Sequence, residues 1–499
     1  MSVAPPVTVE EVQDVMRDGP RDECGVFGLY APGHEVSRLS YFALYALQHR
    51  GQESAGIAAA DRGGQIITRR ELGLVSQVFD ENDLRTLAGE LAIGHVRYST
   101  TGSNAWENSQ PVHRSQGADG SGRELALAHN GNLVNAMELH DRLVAAGVAF
   151  SSTSDSEIIA ALIASTDSET VEDAIAAAMP QMHGAYSAVA MTREKVVAFR
   201  DPLGLRPLVL GRLRVPGGED RWCVASESCA FDIIGAELVR DVQPGEIVTL
   251  GPDGLTSRMV EPRQRAAFCV FEYIYFARPD SRMNGQVLQV VRGRMGEILW
   301  REAPVDADVV IAVPDSGNAA ARGLARASGL PQDDGFVKNR YVARTFIQPG
   351  QELRRHGLRL KFNPLPEVVR GKRLVVVDDS IVRGNTTRQI VAMLREAGAA
   401  EIHLRISAPP IKHPCFYGID MSATSEMIAH DKSVDEIIAE LGADSLHYLS
   451  LDGVYEAVQG EPGSHCDACF TGRYPIVRSD SGDGKLGLEQ QADGSLVGA

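Results

Sequence analysis

Residues 372–410, KRLVVVDDSIVRGNTTRQIVAMLREAGAAEIHLRISAPP, leave few folds open. An apolar strand runs into two acids and a loop holding Gly384, Thr386 and Thr387. A helix follows, in which Ile390, Met393, Leu394 and Ala397 share one face and Gly398 marks the end. A second apolar strand comes next. Strands that are apolar throughout, joined by a helix, belong to a parallel sheet covered on both faces. DVVIAVPDSGNAAARGLARASG (308–329) repeats the strand–loop–helix order. The spacing therefore predicts an α/β domain over residues 261–477.

The chain of 499 residues is too long for one ordinary core, and the pattern changes at a stretch rich in Pro and Arg (261–265). Ahead of it, residues 24–260 read as short strands, Gly-rich turns and a few helices. Strands are predicted at LAIGHVRYS (91–99) and ELALAHN (124–130), with helices at 133–147 and 154–165. The mixture predicts an α+β domain of stacked sheets with helical layers. Residues 1–23 have neither a basic start nor an apolar core, so they do not read as a signal peptide, and no apolar run reaches membrane-spanning length. A cytoplasmic protein is expected, with no membrane partner. The tail at 478–499, rich in Gly, Ser and Asp, is expected to be disordered. A net charge of −17 argues against a nucleic-acid partner. It also means that a phosphate-rich substrate needs a local basic site.

Asp378 and Asp379 leave the C-terminal end of a buried strand, where open α/β sheets bind ligands. The loop from Ser380 to Thr387 enters a helix whose free N–H groups suit a phosphate. The acids suit Mg²⁺ or ribose hydroxyls. Residues 338–373 carry ten Lys or Arg against Glu352 and Glu367, enough to attract a diphosphate that the whole chain would repel. VVVDDSIVRGNTT (375–387) resembles the phosphoribosyl diphosphate (PRPP) signature of type I phosphoribosyltransferases. That resemblance implies that PRPP is held by Asp378, Asp379, Ser380, Arg383, Gly384, Thr386 and Thr387. It implies that Lys338 and Arg340 lie on a loop closing over the diphosphate. Mg²⁺ is expected at Ser316, Asp378 and Asp379.

Cys24, in RDECGVFGLY (21–30), heads a strand-like run. A thiol there is either a small core residue or, if the chain is cut before it, a nucleophile carrying its own amine. QHRGQES (48–54), GHVRYSTTG (94–102), AHNGNL (128–133) and STSDSE (152–157) resemble the glutamine site of class II, N-terminal-nucleophile amidotransferases. The resemblance implies that Cys24 attacks the glutamine amide, with its free α-amine as base. Asn130 and Gly131 then stabilise the oxyanion, and Arg97 and Asp155 bind the amino-acid ends of glutamine. Residues 1–23 are then expected to be a propeptide.

Seven cysteines, an odd number, do not make a disulfide framework. Cys223 and Cys229 read as core thiols. Cys466 and Cys469 form C-x-x-C, and with Cys269 and Cys415 they match an S₄ site for zinc or an iron–sulfur cluster. A glutaminase domain followed by this transferase domain resembles the glutamine PRPP amidotransferase family, in the branch with a propeptide and a [4Fe–4S] cluster. The resemblance implies the first step of purine synthesis, with ammonia passed internally from one site to the other. It also implies purine nucleotide inhibitors and a homotetramer. A class II amidotransferase joined to sugar-isomerase domains would lack VVVDDSIVRGNTT. A PRPP-sensing regulator would not need an intact Cys24 set.

Overall fold

The computed structural model describes residues 24–61, 64–98, 105–115, 122–260, 265–339, 362–419 and 424–476. The expected propeptide, the tail and Arg340 with most of its basic loop lie outside the described residues.

Two antiparallel sheets form the first half. One orders Glu237–Asp241, Val209–Leu213, Arg221–Ala225, Gly25–Tyr30, Leu91–Arg97, Ser54–Ala60 and Ile67–Leu72. The other orders Gly254–Met259, Glu246–Gly251, Val196–Arg200, Gly184–Met191, Leu125–Leu133 and Val112–Arg114. The Gly25–Tyr30 strand shows why the sheets stack. Val26 packs into the layer between the sheets with Ile93, Ala128 and Val189. Phe27 and Leu29 point the other way, under the Val36–Ala46 helix with Leu44 and Leu47. Both faces are buried, so the strands are apolar without a clean alternation. Helices Ala136–Ala145 and Asp155–Ser165 cover the outer face of the second sheet, giving four layers.

The helix expected from residue 133 begins at Ala136. Leu133 still belongs to the preceding strand, paired with Gly184, so its apolar side chain serves the sheet. Ser154 caps the next helix by accepting from Ser156 N–H, and that helix matches the expected span.

The second half holds a four-stranded parallel sheet ordered Val309–Ala312, Arg373–Asp378, Glu401–Ile406 and Ser445–Tyr448. The Asn385–Glu396 helix follows the second of these, with Ile390, Met393 and Leu394 buried. Gly398 has φ +98°, as its expected place past the helix end requires.

Candidate active sites

Cys24 sits just before the Gly25–Tyr30 strand and is buried. Its Sγ donates to the Tyr98 carbonyl at 3.2 Å and accepts from Tyr98 N–H at 3.4 Å. Burial pushes the thiol up to about 11. The Tyr98 hydrogen bond and the Arg97 charge pull it down, while Glu53 and Asp155 push it further up. Arg97 and Asp155, expected from sequence to bind the ends of glutamine, lie near enough for their charges to reach the thiol. Arg97 is the buried last residue of the Leu91–Arg97 strand. Asp155 opens its helix, accepts from Leu133 N–H at 3.0 Å and lies 3.7 Å from His129 Nδ1.

Asn130 and Gly131 lie near the end of the Leu125–Leu133 strand. The Asn130 side-chain amide is buried, and neither its nitrogen nor its oxygen has a hydrogen-bond partner among the described residues. Native interiors rarely leave such a group unmet unless a ligand uses it. Gly131 has φ +139°, and a Cβ there would come within 2.0 Å of the Ala185 carbonyl oxygen, so only glycine fits.

Arg50, within QHRGQES, has no role legible from sequence, yet it is fully buried. Its Nε donates to the Cys24 carbonyl oxygen at 3.0 Å, and its other nitrogens reach Glu227 and Glu272. No sequence spacing connects residues so far apart.

The transferase site forms at the C-terminal ends of the parallel strands. Asp378 ends its strand and Asp379 follows, both buried. Asp379 N–H donates to Asp378 Oδ1 at 2.9 Å. Burial raises Asp379 above the usual carboxylate range, against hydrogen bonds from the Ser316 and Ser380 hydroxyls. Ser316 therefore meets the acids as expected. Its turn is held to the strand by Val313 N–H donating to the Val377 carbonyl at 2.9 Å, and a Cβ on Gly317 would meet that same carbonyl. Gly384, with φ +81°, leads the loop into the helix whose first turn carries Thr386 and the buried Thr387. Two expected phosphate ligands have protein partners. Arg383 pairs with Glu426 at 2.6 Å, and Lys338 Nζ pairs with Asp315. A carboxylate pair and a serine hydroxyl make a hard-oxygen set that fits Mg²⁺.

Cys269 and Cys466 face each other on a short parallel bridge, Phe268–Cys269 with His465–Cys466. Cys469 follows on the Ala468–Thr471 turn, and its carbonyl accepts from the N–H groups of Lys412 and His413, close to Cys415. Burial raises Cys469 well above the usual thiol range, and Cys269, Cys466 and Cys415 push it further. The four thiols are thus brought to one place from three distant segments. Among the described residues no three His, Cys, Asp or Glu side chains close on a point as one metal ion requires. A cluster spreads its thiolates more widely, and the donor set fits one. Cys223 and Cys229 are buried core thiols, as expected.

The two halves touch through the segment carrying Cys415. Asn132 Nδ2 donates to the Phe416 carbonyl at 2.9 Å, and Arg206 Nε donates to the Tyr417 carbonyl at 2.8 Å. A Cβ on Gly418 would lie 2.8 Å from the Gly131 carbonyl carbon. The strand carrying Gly131 and the segment carrying Cys415 meet backbone to backbone.

Residues 95–232 match the glutamine amidotransferase domain family, and residues 283–448 match the phosphoribosyl transferase domain family. An amidophosphoribosyltransferase of Mycobacterium bovis is 50% identical over 497 residues, covering 97% of this chain and 92% of its own. The amidophosphoribosyltransferase of Bacillus subtilis is 47% identical, covering 92% and 95%. The solved structure of glutamine PRPP amidotransferase from B. subtilis, complexed with ADP and GMP, superposes with a TM-score of 0.86. It is 45% identical and covers 93% of this chain and 100% of that one. With near-complete coverage by relatives at this identity, the chain belongs to the amidophosphoribosyltransferase family.

Proposed function

We propose that the residues assembled here divide one reaction between two sites. The enzyme catalyses the first step of purine synthesis: glutamine, PRPP and water give 5-phosphoribosylamine, glutamate and diphosphate. In the uncut chain the Cys24 thiol, at about 11, stays protonated at neutral pH. Removing residues 1–23 frees an α-amine on the same residue, which titrates near 7.7–8.0 and can take the thiol proton. The thiolate adds to the glutamine amide carbon. Asn130 Nδ2 and the Gly131 N–H donate to the oxyanion. Arg97 pairs with the substrate carboxylate and Asp155 with its ammonium. Ammonia leaves, and water cleaves the thioester to glutamate.

The ammonia passes within the protein to C1 of PRPP and displaces diphosphate, because protonation in bulk water would destroy the nucleophile. The helix after Gly384, with Ser380, Arg383, Thr386 and Thr387, holds the 5-phosphate. Lys338 and Arg340 serve the diphosphate. Asp378, Asp379 and Ser316 would hold Mg²⁺, which neutralises diphosphate charge when bound. Cys269, Cys415, Cys466 and Cys469 would hold a [4Fe–4S] cluster in a structural role, tying three segments together.

The observation that carries the residue assignment is the buried amide of Asn130, unpartnered among the described residues, on a strand of the sheet stacked against the one that Cys24 leads into. Purine nucleotide inhibition is part of the reading, supported by the ADP and GMP in the B. subtilis relative. So are assembly as a homotetramer and a cytoplasmic location. Among the described residues no helix is long and apolar enough to cross a membrane. The test is Cys24→Ser: glutamine use should vanish while phosphoribosylamine formation from added ammonia survives. Parallel loss of both would overturn the division into two sites.

A further inference from the structure

Arg50 is fully buried and holds the backbone of the nucleophile through its Nε contact to the Cys24 carbonyl. Its far end is gripped by two carboxylates. Nη1 donates to Glu227 Oε1 at 2.6 Å and Glu272 Oε2 at 3.1 Å, and Nη2 donates to Glu272 Oε1 at 2.7 Å. Both acids are fully buried. Glu227 is also tied to His49, to the Ser281 hydroxyl at 2.6 Å and to the Arg278 N–H at 2.9 Å. Glu272 receives Arg50 on both oxygens, the two-pronged geometry that fixes a guanidinium in orientation as well as position.

Glu272 lies beyond the amidotransferase-like half. It falls between the two segments that match known domain families, and it opens the π-helical turn Glu272–Phe276. Arg292 anchors that turn by donating to the carbonyls of Tyr273 (2.8 Å), Tyr275 (3.0 Å) and Ala277 (2.7 Å). A residue outside the glutaminase half thus sets the guanidinium that grips the glutaminase nucleophile.

The consequence follows from Cys24 becoming a chain terminus. Chain ends fray unless something ties them down. After cleavage residue 24 loses its N-terminal peptide link, and its carbonyl is the remaining backbone handle one bond from the Cα that bears both thiol and amine. We propose that Glu272, acting through Arg50, is a positioning residue for glutamine hydrolysis: it holds the new N-terminal residue in attack geometry. The proposal rests on the reading of Cys24 as nucleophile.

The test uses the full-length, processed enzyme with Glu272→Gln and Glu272→Asp. Glutamine-dependent and ammonia-dependent phosphoribosylamine formation are measured side by side. In Glu272→Gln the glutamine-dependent kcat should fall about 10–100-fold, the scale of a small misplacement of reacting groups. The KM for glutamine should stay nearly constant, since Arg97 and Asp155 are untouched, and the ammonia-dependent rate should hold. Glu272→Asp should recover part of the glutamine-dependent kcat. A wild-type kcat with glutamine in Glu272→Gln would overturn the proposal. So would a parallel fall of both activities in both variants, which would mean a purely structural acid. Cys24→Ser separates the two kinds of failure. Glutamine use surviving there overturns the nucleophile and this proposal together. Its loss beside an unimpaired Glu272→Gln overturns this proposal alone.

Discussion

Replacing Asn130 with leucine should make the protein more stable and useless with glutamine. Both polar atoms of the Asn130 amide are buried and unpartnered among the described residues. An unmet buried polar group costs about 1–3 kcal/mol, and an apolar side chain of similar shape removes that cost. Asn130→Leu should therefore raise the unfolding free energy by about 1–3 kcal/mol, less some strain from replacing a planar amide by a bulkier tetrahedral branch. For a half of this size that corresponds to about 2–4 °C in Tm per kcal/mol. The same change removes the proposed oxyanion donor, and loss of one such donor costs about 10²–10³-fold in kcat. Asn130→Asp is the control: it puts a carboxylate at a buried position, so it should lose activity and stability together. The assay is urea unfolding of each variant, followed by initial rates with glutamine and with ammonia. An Asn130→Leu protein less stable than wild type would refute the account of an amide kept at a structural cost for catalysis. So would one still active with glutamine.

Other outcomes follow from the same structure. Iodoacetamide labelling of Cys24 in the uncut chain should climb about tenfold per pH unit from neutrality towards the thiol pKa, and processing should add a titration near 7.7–8.0. A pH-independent rate would contradict the raised thiol. Because burial raises that pKa from 9.0 to about 11, the stabilisation from the neutral buried thiol is present below pH 9 and lost as pH rises through about 11; alkaline unfolding curves of Cys24→Ala should lack that component. Asp378→Asn should abolish transfer from glutamine and ammonia alike, and stripping divalent cations should do the same; ammonia-dependent activity near wild type would refute the PRPP assignment. Cys466→Ala should yield colourless, poorly folded protein while Cys223→Ala stays brown, as read by visible absorbance and iron content. Stoichiometric zinc without iron would replace the cluster.

The transferase site was legible because it is local. Asp378, Asp379, Gly384 and Thr387 lie on one strand, one loop and one helix, and short-range pattern fixes all three. Leu133 shows the limit of that reading. Its apolar side chain suited either a strand end or a helix start, and pairing with Gly184 decided for the strand. The Arg50 set was illegible for a stronger reason. Its partners stand 177 and 222 positions away, and charged residues at such separations carry no periodic signal. The convergence of Cys269 with Cys466 was foreseen only as a ligand count. That they meet on a parallel two-strand bridge follows from tertiary packing alone.

The backbone contact between Gly131 and Gly418, with Arg206 reaching Tyr417, also fixes an order of events during synthesis. The glutaminase half leaves the ribosome first. The carbonyls and glycine that buttress it belong to a segment near position 417, and that segment is pinned by Cys469, close to the end of the described chain. At about 5–20 residues per second, Cys469 is added roughly 20–90 s after Cys24. Throughout that interval the nascent glutaminase half lacks its supports. A ribosome-bound fragment therefore lacks the contacts that residues 416–418 make to Asn132, Arg206 and Gly131 until most of the second half has been made.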